Sequence, residues 1–88
     1  MTAREKLEAA GYEGVVIFEN YSYDDALVGV STDDRAVYDY DKMVEWLMEK
    51  HDFTCEDAVE WIEYNTIRAL AYYDDVAPII IYPIKDEG

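Results

Sequence analysis

The chain has 88 residues and a formal net charge of −14 at pH 7, because 21 acidic residues outnumber 7 lysines and arginines. Its composition is 51% hydrophobic and 15% aromatic, which excludes a disordered acidic tail, and its length predicts a single domain spanning residues 1–88. One cysteine excludes an internal disulfide, and one cysteine with one histidine excludes a structural zinc site.

The first half of the chain predicts one short helix followed by three strands. Thr2 and Glu5 have the spacing of a capping box, and Gly11 is a suitable helix stop, so a helix is expected between them. Short apolar or aromatic runs predict strands at residues 15–18, 26–30 and 36–40. The polar turn between the last two predicts an antiparallel hairpin.

The second half predicts two helices and a final strand. Apolar residues recur at helical spacing after Asp39 or Asp41, either of which suits an N-cap. Thr54 is the expected N-cap of a third helix. Its core stripe is predicted to contain Cys55, Ala58, Val59, Ile62, Thr66, Ala69 and Leu70. Residues 78–82, PIIIY, predict a strand buried inside the sheet, and residues 85–88 predict a frayed end.

The order of these elements, α-β-β-β-α-α-β, predicts the fold class. It indicates an α+β domain in which helices cover a mostly antiparallel sheet. No apolar run approaches the ~18 residues of a membrane span, and the N-terminal segment lacks the apolar centre of a signal peptide. We therefore expect a cytoplasmic protein that does not contact membranes.

Residues 38–83 carry the motifs YDYDKM, EYNTIRAL and APIIIY in that order. This segment, about half of the chain, resembles a family of small acidic proteins found in anaerobic gut bacteria and their mobile elements. The resemblance implies a globular domain of the kind that mobile elements encode. It implies no catalytic chemistry.

The residues that carry enzyme chemistry are few and scattered. His51 is expected at the end of the second helix, away from any nucleophile, and Cys55 is expected to be a small, partly buried residue. The glycines fit no phosphate-binding loop, and the paired aspartates lack the spacing of a calcium-binding loop. We therefore predict no catalytic residue, no metal site and no cofactor. A small metal-dependent enzyme that uses the aspartate pairs is the least favoured alternative.

Acidic residues at helical spacing are the strongest functional signal. They form one stripe on each of the two later helices: Asp41, Glu45, Glu49 and Asp52, then Glu56, Glu60 and Glu63. Neighbouring carboxylates on one helix face lie ~6 Å apart, a spacing similar to that of nucleic-acid phosphates. A basic protein surface that normally binds phosphates can accept such a stripe. The alternative is that the acids only keep the protein soluble.

The third helix carries a second stripe that combines aromatic residues with an arginine: Trp61, Tyr64, Arg68 and Tyr72. It either packs on the second helix or forms a binding hot spot for a partner or a second copy, and the few layers of a small domain favour the first alternative. Arg68 is expected to pair with acids and to stack on Tyr64 or Tyr72.

Asn65 and Thr66 are unusual in the middle of a helix, because their side chains compete for backbone hydrogen bonds. We expect Asn65 to be a buried amide that ties the helix to a neighbouring loop or strand. We expect the Thr66 hydroxyl to bond back to the Ile62 carbonyl.

These features together predict a non-enzymatic acidic protein that binds a basic protein surface. Direct binding to nucleic acid is disfavoured, since the chain has no cluster of lysines or arginines. The specific hypothesis is a DNA-mimic inhibitor from a phage or mobile element, directed at a CRISPR or restriction nuclease, as in anti-CRISPR proteins. The alternative is a host protein-interaction module whose acidity only serves solubility. The oligomeric state, monomer or homodimer, is left open.

Overall fold

The computed structural model describes residues 1–84, in which three helices pack beside a three-stranded sheet. The predicted α+β class is confirmed, whereas the frayed end predicted for residues 85–88 lies outside the described residues. The strands are β1 at Leu27–Val30, β2 at Ala36–Asp39 and β3 at Ile79–Ile81, and the helices are α1 at Ala3–Ala9, α2 at Tyr40–His51 and α3, which begins at Cys55.

Helix α1 has the caps that its sequence predicts. The Thr2 hydroxyl accepts a hydrogen bond from the Glu5 backbone N–H at 3.1 Å, and the Glu5 carboxylate accepts one from the Thr2 N–H at 2.9 Å. This capping box satisfies N–H groups that the start of a helix leaves unpaired. At the other end Gly11 has a φ of 88°, a left-handed conformation in which glycine terminates helices.

The strand predicted at residues 15–18 is absent from the structure. These residues belong to no strand, and the Val15 carbonyl accepts its hydrogen bond from the Arg4 guanidinium at 3.0 Å. Val15 and Phe18 are nevertheless buried in the core. The apolar run therefore reflects the burial of its side chains and not pairing into a strand. A short apolar sequence is compatible with either.

The sheet has the strand order β1-β2-β3. β1 and β2 form the predicted antiparallel hairpin, and the Ser31 N–H donates to the Arg35 carbonyl at 2.8 Å across its turn. β2 and β3 pair in parallel, with Tyr38 opposite Ile80. The sheet is therefore mixed rather than mostly antiparallel. The connection from β2 to β3 contains α2 and α3, and parallel pairing requires a long crossover of this kind.

Strand β3 lies at an edge of the sheet, so the prediction that residues 78–82 are buried inside the sheet is wrong. Ile80 is half-buried against the core, and Ile81 is exposed. The Arg35 Nε donates to the Ala77 carbonyl at 2.7 Å, which fixes the start of β3 beside the hairpin. The edge of β3 that faces away from β2 therefore has no neighbouring strand among residues 1–84.

Helix α2 follows β2 directly. Its N-cap is Asp39 and not Asp41, because the Asp39 carboxylate accepts a hydrogen bond from the Lys42 N–H at 3.1 Å. The side chains that it buries are Tyr40, Met43, Trp46 and Leu47. After His51 the chain reverses through Asp52, whose φ of 57° is left-handed, and this turn brings α3 against α2.

Helix α3 changes its hydrogen-bond pattern along its length. It is α-helical at Cys55–Trp61, π-helical at Ile62–Thr66 and α-helical again at Ile67–Ala69, and a 3₁₀ segment follows at Leu70–Val76. In the π segment the Ile67 N–H donates to the Ile62 carbonyl, one residue further back than in an α-helix. The Thr54 hydroxyl accepts from the Asp57 N–H at 3.1 Å, which confirms the predicted N-cap.

The core contains only part of the stripe predicted for α3. Buried are Ala58, Ile62 and Thr66, and half-buried are Val59, Ala69 and Leu70. Cys55 is exposed, so the expectation that it is partly buried is wrong, because the first turn of α3 projects beyond the core. Complete burial of the Ile62 side chain contributes about 1.5 to 3 kcal/mol to folding.

Candidate functional site

The two polar residues in the middle of α3 have different environments. Thr66 is buried, and its hydroxyl is hydrogen-bonded to the Tyr23 hydroxyl at 2.6 Å instead of to the Ile62 carbonyl. Asn65 is exposed, and its Nδ2 donates to the Trp61 carbonyl of the same helix at 3.3 Å. The prediction that Asn65 is a buried tie to another segment is therefore wrong. Its amide faces solvent, where a local bond is enough to satisfy it.

An aromatic cluster joins the end of α2 to the middle of α3. The Tyr21 ring is at its centre, with centroid distances of 4.5 Å to His51, 5.2 Å to Trp61, 5.9 Å to Phe53 and 6.2 Å to Trp46. Most of these rings meet edge to face, the arrangement that aromatic quadrupoles favour. Trp61 therefore takes part in packing between the helices, and the cluster positions the side chains on the solvent side of this corner.

A surface hollow lies over this corner, and we name it the corner hollow. Its volume is about 580 Å³. Its lining combines aromatic rings with carboxylates: His51, Asp52, Phe53, Asp57, Glu60, Trp61, Tyr64 and Asn65. The combination arises because the turn after α2 places Asp52 and Phe53 beside the exposed side of α3.

The second hollow, which we name the helix hollow, runs along α3 and has a volume of about 620 Å³. It is lined by Cys55, Glu56, Val59, Glu60, Glu63, Tyr64 and Arg68. The guanidinium carbon of Arg68 lies 5.0 Å from the centroid of the Tyr64 ring, so the predicted stacking of these two residues is confirmed. The positive charge of Arg68 is thereby held over a ring at one end of an otherwise acidic hollow.

The two hollows adjoin, because Glu60 and Tyr64 line both of them. We call their combined lining the α3 surface. Tyr64 is 56% exposed, which leaves much of an aromatic side chain available for contact. The α3 surface brings together seven of the predicted partner-binding residues: Asp52, Glu56, Glu60, Glu63, Trp61, Tyr64 and Arg68.

The other predicted partner-binding residues lie outside the α3 surface. Asp41 is half-buried at the start of α2, and Glu45 and Glu49 are exposed further along the same helix, but none of the three lines either hollow. Tyr72 is 88% exposed in the 3₁₀ segment and also lines neither. Of the acidic stripe on α2, only Asp52 joins the α3 surface.

Glu63 connects the α3 surface to the sheet side of the domain. Its carboxylate accepts a hydrogen bond from the Tyr40 hydroxyl at 3.2 Å, and the Tyr40 ring packs against Tyr82 with a centroid distance of 4.9 Å. Burial raises the pKa of Tyr40 to about 12, and the hydrogen bond and negative charge of Glu63 act in the same direction. Glu63 therefore contributes a hydrogen bond to the fold as well as lining the helix hollow. Glu56 and Glu60 are exposed on the same side of α3.

Sequence reasoning missed the part of the α3 surface that comes from the α2–α3 turn. The sequence predicts only a helix-end position for His51 and no binding role for Phe53, yet both line the corner hollow. A usable signal is the number of aromatic residues near this turn, Trp46, Phe53 and Trp61, because aromatic side chains bury large areas and pair with one another.

Among residues 1–84, no group of three or more His, Cys, Asp or Glu side chains is placed to hold a metal ion. None of the helices in the same range combines the length and the apolar character needed to cross a membrane.

Comparison with known proteins adds no assignment. No family model matches the chain, and no curated protein and no solved structure matches it at a significant level.

Proposed function

We propose that this chain is a non-enzymatic binding protein whose α3 surface docks on a basic protein surface of the kind that binds nucleic-acid phosphates. The observation that supports it best is the placement of carboxylates around the exposed ring of Tyr64 and the half-buried rings of Phe53 and Trp61 in two adjoining hollows. Lysine and arginine side chains of a partner are the groups that such carboxylates accept. Arginine can in addition stack on the ring of Tyr64.

The charge of the whole chain supports the same proposal. A net charge of −14 attracts basic surfaces over distances of about a Debye length, ~8 Å at physiological ionic strength, and speeds the encounter with them. Proteins that handle DNA or RNA present such surfaces. We therefore propose, as the specific form, an inhibitor from a phage or mobile element that occupies the nucleic-acid channel of a CRISPR or restriction nuclease.

A direct test compares two pairs of charge reversals. Glu56→Lys with Glu60→Lys changes the α3 surface, and Glu8→Lys with Glu13→Lys changes the net charge equally on exposed residues that line neither hollow. The probes are purified CRISPR and restriction nucleases, with cleavage of a DNA substrate and direct binding as the readouts. The first pair is expected to abolish inhibition and binding, and the second to weaken them only slightly, because local contacts outweigh net charge.

Competition and salt separate docking in a phosphate site from other kinds of contact. Excess DNA is expected to displace the chain, and the affinity is expected to fall steeply as salt rises. If both pairs of reversals reduce binding equally, the α3 surface has no special role. If no nuclease in the panel binds, the host interaction module whose acidity serves solubility becomes the better hypothesis.

A further inference from the structure

The two edges of the sheet differ in how they are protected against pairing with another strand. At the β1 edge the register is irregular between Leu27 and Gly29, and an irregularity of this kind discourages the addition of a strand. At the β3 edge Ile79, Ile80 and Ile81 keep a regular register with β2. Alternate residues of such an edge strand turn their N–H and C=O groups away from the sheet.

The outer face of the sheet beside β3 is mostly apolar, and its exception is Asp39, which lies opposite Ile81 but is buried and hydrogen-bonded as the N-cap of α2. Tyr38 and Ile80 are opposite each other and both pack on the core, so Val37 and Ile79, the next opposed pair, project from the other face. Ile81 lies on that same outer face and is 39% exposed. Neither Val37 nor Ile79 packs with the core cluster.

The β3 edge also differs from the rest of this acidic chain in that it carries no charge. Residues 76–84 contain no charged side chain and form the longest uncharged run in the sequence. Two chains that each carry −14 repel each other wherever carboxylates come close, so an uncharged surface is where two copies can meet. A strongly basic partner, in contrast, finds no opposite charge to recognise in this run.

We propose that β3 pairs with β3 of a second copy of this chain, antiparallel about a two-fold axis, so that two sheets join into one. A two-fold contact places the same surface on both sides, and the row of three isoleucines is complementary to itself. Pro78 and Pro83 bracket the strand and lack backbone N–H groups, so they limit the pairing to the residues between them. This interface is separate from the α3 surface.

Sedimentation equilibrium of the full chain tests the proposal, from low micromolar to near-millimolar concentration and at low and physiological salt. The dimer is expected to grow with concentration and to become tighter as salt rises, because screening weakens the repulsion between two acidic chains. This salt dependence has the opposite sign to that of binding at the α3 surface, so the two contacts can be told apart in one set of buffers.

Two matched variants locate the contact. Ile81→Lys places a charge on the β3 edge, and Val28→Lys places the same charge on β1, where the side chain is 46% exposed. Both variants make the net charge less negative by the same amount, which by itself favours association. We expect Ile81→Lys to be monomeric over the whole range and Val28→Lys to dimerise like the parent chain.

Hydrogen exchange of the parent chain gives a second measurement that needs no variant. The amides of residues 79–82 that face away from β2 are expected to exchange more slowly as the concentration rises. A parent chain that stays monomeric at every concentration and salt overturns the proposal. It does so even if the β3 edge turns out to accept a strand from a different protein. Dimers that survive Ile81→Lys, or whose residues 79–82 gain no protection, overturn it too.

Discussion

The hydroxyl groups of Tyr23 and Thr66 lie 2.6 Å apart in the core and join positions separated by 43 residues in the chain. Tyr23 has a φ of 49° and a ψ of 49°, a left-handed conformation that is unfavourable for a bulky side chain. The Tyr23 ring also packs against Phe18 at 5.8 Å and Trp46 at 5.6 Å. The surrounding contacts therefore hold a strained residue in place. Thr66, at the end of the π segment of α3, supplies the polar one among them.

Replacing Thr66 by valine tests this contact with little change in side-chain shape. The variant leaves the Tyr23 hydroxyl buried without its partner, so the free energy of unfolding is expected to fall by about 1 to 3 kcal/mol. Urea unfolding monitored by circular dichroism measures the loss. Tyr23→Phe in the Thr66→Val background is expected to recover part of it, because no unpaired hydroxyl remains. If Thr66→Val unfolds like the parent, the hydrogen bond is not a net stabiliser.

Asn65→Ala is expected to have almost no effect on stability. The Asn65 amide is exposed and makes only a local bond within α3, and alanine has the higher helix propensity, so the free energy of unfolding should change by no more than about 0.5 kcal/mol. Because Asn65 lines the corner hollow, any effect of this variant is expected in partner binding instead. A loss of stability comparable with that of Thr66→Val contradicts the solvent-facing role.

Alkaline pH is expected to destabilise the fold through its buried tyrosines. Burial raises the pKa of Tyr23 and of Tyr40 from the ordinary 10.0 to about 12. The neutral form is therefore favoured more in the folded than in the unfolded chain, and the associated stability is fully present below pH 10 and is lost as pH rises toward about 12.

The ultraviolet absorbance of tyrosinate measures this behaviour. Exposed tyrosines such as Tyr72 should ionise without unfolding, whereas a second group, which includes Tyr23 and Tyr40, should ionise together with loss of the circular dichroism signal. Tyr40→Phe should remove part of the second group. Ionisation of all tyrosines in one step with the fold intact is the opposite result.

Salt is expected to stabilise the domain. With a net charge of −14, repulsion between carboxylates opposes folding, and screening reduces it. The ion pair between Arg35 and Asp33, at 3.7 Å and with Asp33 exposed, contributes little against this total. The melting temperature should therefore rise between about 10 and about 150 mM NaCl. A flat or falling melting temperature shows that the acids are already compensated locally.

The sequence was sufficient to predict those elements that are determined by residues close together in the chain. The caps of α1, α2 and α3 and the hairpin between β1 and β2 depend on residues that are neighbours in the chain, and they are confirmed. The absent strand at residues 15–18 and the edge position of β3 depend on which segments meet in space, which apolarity alone does not specify. The parallel pairing of β3 follows likewise from the path of the chain.

The candidate site was predictable to the extent that it lies on the regular α-helical part of α3, Cys55–Trp61. Glu56 and Glu60 are exposed on the same side of α3 because residues four apart share a helix face. Asn65 was misplaced because an uncharged amide is compatible with either burial or exposure, and nothing in its immediate sequence decides between them. His51 and Phe53 were missed because the left-handed turn at Asp52, which brings them to α3, has no glycine to mark it.

The π segment at Ile62–Thr66 determines the direction in which the later side chains of α3 project around the helix axis. A wide turn accommodates one more residue than an α-helical turn, and one residue corresponds to about 100° of rotation around the helical wheel. The stripe of Trp61, Tyr64, Arg68 and Tyr72 assumes an unbroken wheel, so the phase change and the 3₁₀ segment remove Tyr72 from it. Tyr64 and Arg68 are only four residues apart across the end of the π segment, so they still face each other, with the Arg68 guanidinium carbon 5.0 Å from the Tyr64 ring centroid. The stripe therefore persists only over this short spacing.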